Sequence, residues 1–461
     1  MRRAFLLGLL ALGGCAYYNG MYNANRLAHQ AEKAEKEGRT FDAASLWGQV
    51  GVKADTVLAR HGKSQWADDA KLLRGKAYQR LGDCQSATSY LNQVVAASTD
   101  PRLVEEASFL LGRCYQELGE TEEATAAFSR LVNSTDPARR NESLYQHGRS
   151  LRIGGRYQEA LAELQHTTDP RARGERLAAL AALGRFAEGH EIVDTLIAAG
   201  DTTTAWDDIL DLLGRHDTLA ASTLTDRLVG MKNSTAEQRA RWLIADGKRL
   251  AASRPEEAFA RFRKAIVVGS GSQAPGKARF AILQQRLAQA TVDSLDALMP
   301  EISELATLGG EVSFLAAGMD RAARRIRQAL DTVAAGAGQP DLRIFLAAEE
   351  ARDSLGADRI AVVLFGMVPG RWPDSPYAAK SLMALAATDP TQADSVREVL
   401  NSQYGDSPYL LAVMGDSAPG YRALEDSLRA FAYRVLAASR VGAPAGRPGV
   451  RTPTSSRVPE N

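Results

Sequence analysis

The clearest indication of the fold is the segment Gly75-Lys-Ala-Tyr78-Gln-Arg-Leu-Gly82-Asp-Cys-Gln-Ser-Ala87-Thr-Ser-Tyr-Leu91, because its pattern recurs twice farther along the chain. The later copies are Gly112, Tyr115, Gly119, Ala124 and Phe128, and then Gly148, Leu151, Gly155, Ala160 and Leu164. Small residues suit a close helix crossing, a large apolar side chain fills the space beside it, and the middle glycine ends the first helix. The pattern predicts three consecutive helix-turn-helix units.

These residues resemble the tetratricopeptide repeat, a helix-turn-helix unit of about 34 residues. Weaker copies surround the three strong ones, namely Gly38, Ala43 and Trp47, then Gly184, Phe186 and Ile192, then Ala258, Phe262 and Ala265, and finally Phe345, Gly356, Ala361, Phe365 and Pro373. We therefore expect an all-α fold, a tetratricopeptide-type α-solenoid with degenerate repeats in the middle and a disordered C-terminal tail.

Changes in periodicity and composition suggest six segments. They are a signal peptide over 1–14, a lipid-anchored tether over 15–23, an N-terminal array over 24–200, degenerate helical repeats over 201–340, tetratricopeptide-like helices over 341–437 and a tail over 438–461. Pro373-Asp-Ser-Pro-Tyr377 and Gly405-Asp-Ser-Pro-Tyr409 each precede an apolar helical stretch, which predicts one further helical pair. The tail is rich in Gly, Pro, Ser, Thr and Arg, a composition typical of disorder.

The N-terminus has the form of a processing signal. Arg2 and Arg3 precede an apolar run over 4–12, which is too short to span a bilayer. Leu12-Gly13-Gly14-Cys15 resembles the lipoprotein box of bacteria, which implies cleavage before Cys15 and lipidation of its thiol with fatty acyl chains such as palmitate. The alternative is an ordinary secretory signal with a coincidental cysteine.

The residue after the cysteine bears on location. Many lipoproteins retained in the inner membrane have aspartate there, so Ala16 implies the outer membrane, with the protein facing the periplasm. More than one acyl chain gives stable anchoring. Tyr17, Tyr18 and Tyr22 either rest at the membrane interface or cap the first repeat.

Composition argues against several kinds of protein. The 461 residues carry 56 basic and 55 acidic side chains, a net charge of +1, which does not favour nucleic-acid binding. Three cysteines and six histidines are too few and too scattered for a zinc module or a small disulfide scaffold. Cys84 and Cys114 lie in adjacent repeats whose helices should pack together, so they form either a disulfide or two buried thiols.

The sequence gives little support to enzyme chemistry. Residues 271–277 have the glycine and lysine spacing of a phosphate-binding loop, but Ala278 stands where a magnesium ligand is needed. The preceding Ile266-Val-Val268 reads as the end of a helix rather than as a strand, so an inter-repeat linker is favoured. His190 between Glu188 and Glu191 is explained by a charged helix surface. We expect no catalytic residue, no metal, no cofactor and no small-molecule substrate.

In the tetratricopeptide family the first helices line a binding groove, and three positions relative to the first glycine predict its lining. The candidates are Leu72, Phe109 and Tyr145 in one column, Lys76, Arg113 and Arg149 in a second, and Gln79, Gln116 and Arg152 in a third. An apolar-to-aromatic stripe beside a row of cations suits an extended peptide with aromatic side chains and a carboxylate. Alternatively, each aromatic ring lies under the cation four residues on, as Tyr145 would under Arg149.

Through its lipoprotein box, its short tether and its repeats, the chain resembles the tetratricopeptide lipoproteins of outer-membrane β-barrel assembly, although those have roughly half this length. The resemblance implies a non-catalytic scaffold at the periplasmic face of the outer membrane that binds envelope proteins or extended peptide segments. An accessory lipoprotein of a secretion or motility apparatus is a second hypothesis. An envelope enzyme with a site in 201–340 is a third.

Overall fold

The computed structural model describes residues 20–336 and 338–441, and all the regular elements in these ranges are helical. This confirms the predicted all-α fold. The chain divides into two compact units, the first ending at Thr235 and the second beginning at Ala236. Among the described residues, no helix combines the length and apolar character needed to cross a membrane.

The first unit contains twelve described helices. They are α1 (Tyr22–Lys36), α2 (Thr40–His61), α3 (Ala67–Arg80), α4 (Cys84–Ala97), α5 (Pro101–Leu118), α6 (Thr121–Ser129), α7 (Pro137–Ile153), α8 (Tyr157–Leu164), α9 (Ala172–Ala182), α10 (His190–Ala199), α11 (Trp206–His216) and α12 (Thr218–Val229). A short 3₁₀ turn, Phe186–Gly189, precedes α10. Helices α1, α3, α5, α7 and α9 each open a hairpin and are called the first helices below.

The second unit contains eleven described helices. They are α13 (Ala236–Leu250), α14 (Pro255–Val268), α15 (Ala274–Gln289), α16 (Leu295–Leu305), α17 (Gly310–Ala334), α18 (Pro340–Asp353), α19 (Asp358–Arg371), α20 (Ala378–Thr388), α21 (Ala393–Gln403), α22 (Pro408–Met414) and α23 (Tyr421–Val441). The sequence placed the start of the tail at 438, whereas α23 continues to Val441. Residues 442–461 lie outside the described part.

The three strong repeats pack as their glycines predict. A Cβ atom on Gly75 would come within 2.6 Å of the Leu91 side chain, and one on Gly148 would come within 2.5 Å of Leu164. Helix α3 therefore crosses α4, and α7 crosses α8, at a distance that only glycine allows.

The turn glycines also behave as predicted. Gly82, Gly119 and Gly155 have φ angles of 80°, 78° and 75°, the left-handed conformation in which glycine is favoured. The following first helices begin at Asp-Pro pairs. The carboxylates of Asp100 and Asp136 accept hydrogen bonds from the backbone N–H groups of Arg102 and Ala138. The hairpins that begin at α5 and α7 thus have both a defined start and a defined turn.

A fourth hairpin of this kind lies in the second unit, where sequence matching was weak. A Cβ atom on Gly247 in α13 would come within 2.5 Å of the Phe262 ring in α14. Gly247 precedes Phe262 by one residue fewer than Gly112 precedes Phe128, because α14 starts at Pro255 without a preceding glycine turn. Phe262 is buried together with Ala258 and Ala265, as the weaker copy predicted.

Candidate peptide-binding surface on the first helices

Polar side chains join each first helix to the next. On α3, the Lys76 Nζ atom lies 2.9 Å from Glu32 Oε1 of α1 and 3.0 Å from Glu106 Oε1 of α5. Burial alone would lower the pKa of Lys76, but attraction to Glu106 and the hydrogen bond to Glu32 outweigh it and raise that pKa. Lys76 is therefore a charged clamp between three helices.

The same kind of link joins α5 to α7. The Gln116 side chain donates to Gln146 Oε1 at 3.1 Å and to Ser150 Oγ at 3.0 Å. Partners one repeat away supply these contacts, so the polar groups are satisfied within the protein.

Two arginines of α7 share one carboxylate on α9. Arg149 Nε lies 3.3 Å from Glu175 Oε1, and Arg152 donates to Glu175 Oε2. Arg149 is 37% exposed, whereas Arg152 is only 13% exposed. Glu175 thus neutralises part of the predicted cationic row.

These contacts correct several predictions for the groove. Leu72 and Gln79 are buried, and Lys76, Arg149 and Arg152 are bound to carboxylates instead of forming an open row of cations. The three columns of groove candidates compared equivalent positions of successive repeats. They gave no information on the carboxylates that neighbouring first helices place beside these positions. Among the predicted cations, Arg113 is exposed and makes no ion pair within the described residues.

The two aromatic candidates lie in different surroundings. The Phe109 ring packs edge-on against Phe128, with centroids 5.9 Å apart. Tyr145 is nearly buried, and the guanidinium lying over its ring, 4.1 Å from the centroid, belongs to Arg171. The suggestion that Arg149 would cover Tyr145 is therefore wrong. Burial, with the nearby Glu175 charge, raises the pKa of Tyr145.

A cleft of about 500 Å³ opens beside these residues, between α7, α9, α10 and the segment that leads into α11. Its lining includes Tyr145, Arg149, Arg152, Arg173, Glu175, Leu196, Thr203 and Asp208. Arg173 is exposed, and its side chain makes no hydrogen bond or ion pair with the described residues. The cleft therefore combines apolar walls, an aromatic residue and a cation available to an incoming carboxylate.

Sequence reasoning brought Tyr145, Arg149 and Arg152 to this cleft but missed Arg171 and Arg173. The hairpin that begins at α9 lacks the first-glycine pattern, so no column extended that far. One usable signal was Asp169-Pro170, which repeats the Asp-Pro helix start seen before α5 and α7.

Cys84 of α4 and Cys114 of α5 form a disulfide, with Cα atoms 5.0 Å apart, within the usual range for such a bond. Both cysteines are buried in the core shared by the first two strong repeats. Of the two sequence alternatives, the structure has the bonded one.

The remaining chemical candidates occupy ordinary structural positions. Residues 266–268 end helix α14, as predicted, and Lys277 lies 3.8 Å from Glu311. His190 is exposed at the start of α10. Within the described ranges, no group of side chains is arranged to hold a metal ion.

The proposed anchor falls outside the structure. Cys15, Tyr17 and Tyr18 precede the described residues. Tyr22 is the first residue of α1 and is 50% exposed.

Comparisons with known proteins concern the repeats. A family model for the tetratricopeptide repeat matches residues 106–134, which include most of α5 and all of α6. A search of curated protein sequences gives no match.

Solved structures with a similar arrangement of helices include a tetratricopeptide repeat protein from Parabacteroides merdae, with 17% identity over 56% of this chain and 97% of that chain and a TM-score of 0.37. A second is a kinesin light chain with TPR-like repeats from Podosopora anserina, with 22% identity over 39% of this chain and 96% of that chain and a TM-score of 0.32. A third is human IFIT1, with 14% identity over 84% of this chain and 89% of that chain and a TM-score of 0.31. The matched family model and the hairpin geometry above show that the chain contains helical repeats of the tetratricopeptide type.

Proposed function

We propose that this protein is a non-catalytic scaffold that binds an extended segment of another envelope protein in the cleft beside Tyr145. The observation that carries this proposal is the exposed Arg173, whose side chain makes no ion pair within the described residues. The other cations of the cleft are already bound, Arg149 and Arg152 to Glu175 and Arg171 to Asp169 and Glu142. A peptide carboxylate would form a charge-assisted hydrogen bond there, and apolar or aromatic side chains would lie against the cleft wall.

The location we propose is the periplasmic face of the outer membrane, with Cys15 lipidated. Leu12-Gly13-Gly14-Cys15 supports lipidation, and Ala16 supports the outer membrane. Only six residues separate Cys15 from Tyr22, so the first unit would lie within about 25 Å of its lipid. The Cys84–Cys114 disulfide also suits an oxidising compartment.

The process we favour is assembly of outer-membrane proteins, on the resemblance to the lipoproteins of that machinery. The alternative is that the protein is an accessory lipoprotein of a secretion or motility apparatus. Purification from detergent-solubilised envelopes, with the wild type and an Arg173→Glu variant in parallel, separates them. If a β-barrel core protein co-purifies with the wild type but not with the variant, the result supports a role in outer-membrane protein assembly. If components of a secretion apparatus do so instead, the result supports the alternative.

The binding site has its own test with purified protein. The probe is a labelled extended peptide of alternating aromatic and acidic residues, followed by fluorescence anisotropy. We expect Arg173→Glu to weaken binding by about tenfold, in the range measured for charged contacts at interfaces. The matched control is Arg130→Glu, because Arg130 is exposed at the end of the second helix α6. Equal affinity in both variants would contradict the site.

The anchor is tested separately. We expect the wild type to sediment with outer membranes and to incorporate labelled palmitate, and a Cys15→Ser variant to do neither. Palmitate incorporation by Cys15→Ser would contradict lipidation at this residue.

A further inference from the structure

The last helix of the second unit, α23, packs against the earlier helices α20 and α22 of that unit. In hairpin order α23 follows α22, yet its side chains reach back to α20. Lys380 Nζ of α20 lies 2.8 Å from Glu425 Oε2 of α23, and the Tyr377 hydroxyl donates to the Leu428 carbonyl oxygen at 2.9 Å. Tyr409 of α22 donates to the other oxygen of Glu425.

Both tyrosines come from the repeated Asp-Ser-Pro-Tyr boundaries. Tyr377 precedes α20 directly, and Tyr409 lies in the first turn of α22. The recurring motif thus supplies two hydroxyl groups that face one helix, a role that helix starts alone do not require. Burial raises the pKa of Tyr377 to about 12, so its hydroxyl keeps the proton that it donates.

Part of the surface under α23 is also packed against α18. The Tyr377 ring stacks on Phe345 of α18 at 5.3 Å, and Lys380 lies 5.2 Å from the Phe345 ring centroid. We call the surface formed by Phe345, Tyr377, Lys380, Met383 and Tyr409 the helix-docking surface.

Helix α23 contacts this surface through one stripe. Leu428 is 5% exposed at its centre, with Tyr421, Leu424, Phe431 and Val435 packed partly buried along the same side. The opposite side faces solvent, and Tyr433 is 76% exposed. The connection from α22 has left-handed glycines at both ends, Gly415 and Gly420, with φ angles of 79° and 82°. A helix with one apolar stripe that includes a carboxylate can be recognised by a groove with an apolar floor and a cation.

We infer that the helix-docking surface binds an amphipathic helix of a partner protein, one that carries a carboxylate within its apolar stripe, and that α23 occupies this surface as an internal ligand. Lys380 and Tyr409 select the carboxylate, and the Phe345–Tyr377 stack receives the apolar residues. Because α23 is tethered, its effective concentration is high and a partner must compete with it. This inference concerns the second unit and does not depend on the cleft beside Tyr145 or on the membrane anchor.

The test uses the full chain and a labelled peptide of residues 421–439. We expect the peptide to bind a Leu428→Ala/Phe431→Ala variant at least about tenfold more tightly than the wild type, because the weakened internal helix competes less. An Arg429→Ala/Tyr433→Ala variant, changed on the outward side of α23, should bind as the wild type does. A peptide with Glu425→Gln should bind the loosened variant about fivefold more weakly. A designed helix that keeps only the stripe residues should bind as the native peptide does.

Equal binding of the peptide to the wild type and the loosened variant, or to neither, would overturn the inference, as would an unchanged affinity with Glu425→Gln. Circular dichroism shows whether the variant keeps its helices. Should it unfold, hydrogen exchange on the wild type decides the matter. We expect amides of α23 to exchange at least about tenfold faster than those of α20, through opening without global unfolding. Equal protection of the two helices would contradict an exchangeable α23.

Discussion

A Cβ atom on Gly112 would lie 2.6 Å from the Phe128 ring, so close that a side chain at this position would force neighbouring atoms to move. Gly112 lies in α5 and Phe128 in α6, so this contact sets how closely the two helices of the hairpin approach. The equivalent contacts at Gly75 and Gly148 give the neighbouring hairpins the same crossing.

The first prediction concerns this crossing. We expect Gly112→Ala to lower the free energy of unfolding of the protein by about 1–3 kcal/mol, the usual effect of overpacking a core. The control is Gly48→Ala in α2, where a Cβ atom would have no neighbour within 4 Å. We expect this substitution to raise the free energy of unfolding by about 0.5–1 kcal/mol, because alanine favours the helix more than glycine does. Urea unfolding followed by circular dichroism measures both. Equal effects of the two substitutions would contradict the close crossing.

The second prediction concerns the disulfide. In a Cys15→Ser background, thiol titration of the denatured chain should find no free thiol before reduction and two afterwards. Replacing both Cys84 and Cys114 with Ser should lower the free energy of unfolding by about 2–4 kcal/mol, because the bond closes a loop in the unfolded chain. Two thiols in the unreduced protein would show that the cysteines are not bonded.

The third prediction concerns Glu175, which competes with an incoming carboxylate for Arg149 and Arg152. We expect Glu175→Gln to increase the affinity for the acidic-aromatic peptide by about three- to tenfold, since it releases two cations beside the cleft. Glu188→Gln, which releases Arg185 from an exposed pair outside the cleft lining, is the control. Weaker binding by Glu175→Gln would indicate that the ion pairs hold the cleft in shape.

The fourth prediction concerns pH. Burial would raise the pKa of Glu32, but the hydrogen bond from Lys76 and the attraction of Lys76, His29 and Arg80 together outweigh it, and the pKa is lowered from 4.5. The contribution of Glu32 to the free energy of unfolding is therefore fully present above the pKa that Glu32 has in the unfolded chain. It is lost as the pH falls through the lower pKa that Glu32 has in the folded protein. From about pH 6 to about pH 3, the wild type should lose about 0.5–1 kcal/mol more stability than Lys76→Met, a size suited to a partly exposed pair. Parallel pH profiles would argue against the clamp.

The repeats could be predicted from the sequence because one local constraint, a glycine under a large apolar residue, fixes both helices of a hairpin. The same constraint at Gly247 and Phe262 escaped detection, since a turn shorter by one residue breaks the spacing while keeping the contact. Periodicity finds a contact only where the turn length is constant.

The surface was harder to predict than the core. Spacing located Tyr145, Arg149 and Arg152 at the cleft, but whether a cation is free depends on carboxylates one repeat away. Glu106 and Glu175 occupy helix positions outside the three columns of groove candidates, so the sequence predicted Lys76 and Arg149 as unpaired cations. The return of α23 to Tyr377 has no signal in local sequence, because it depends on a tertiary contact between residues 51 positions apart.

Site-specific photocrosslinking in cells is the decisive test of the peptide-binding cleft, with a photoreactive amino acid at Thr203, which is exposed in the cleft lining, or, as the control, at Arg130. We expect a discrete crosslinked partner from position 203 that is absent from position 130 and diminished when Arg173→Glu is added. Crosslinks of equal yield from both positions, or an adduct at 203 that is indifferent to Arg173→Glu, would contradict a peptide-binding cleft on the first helices.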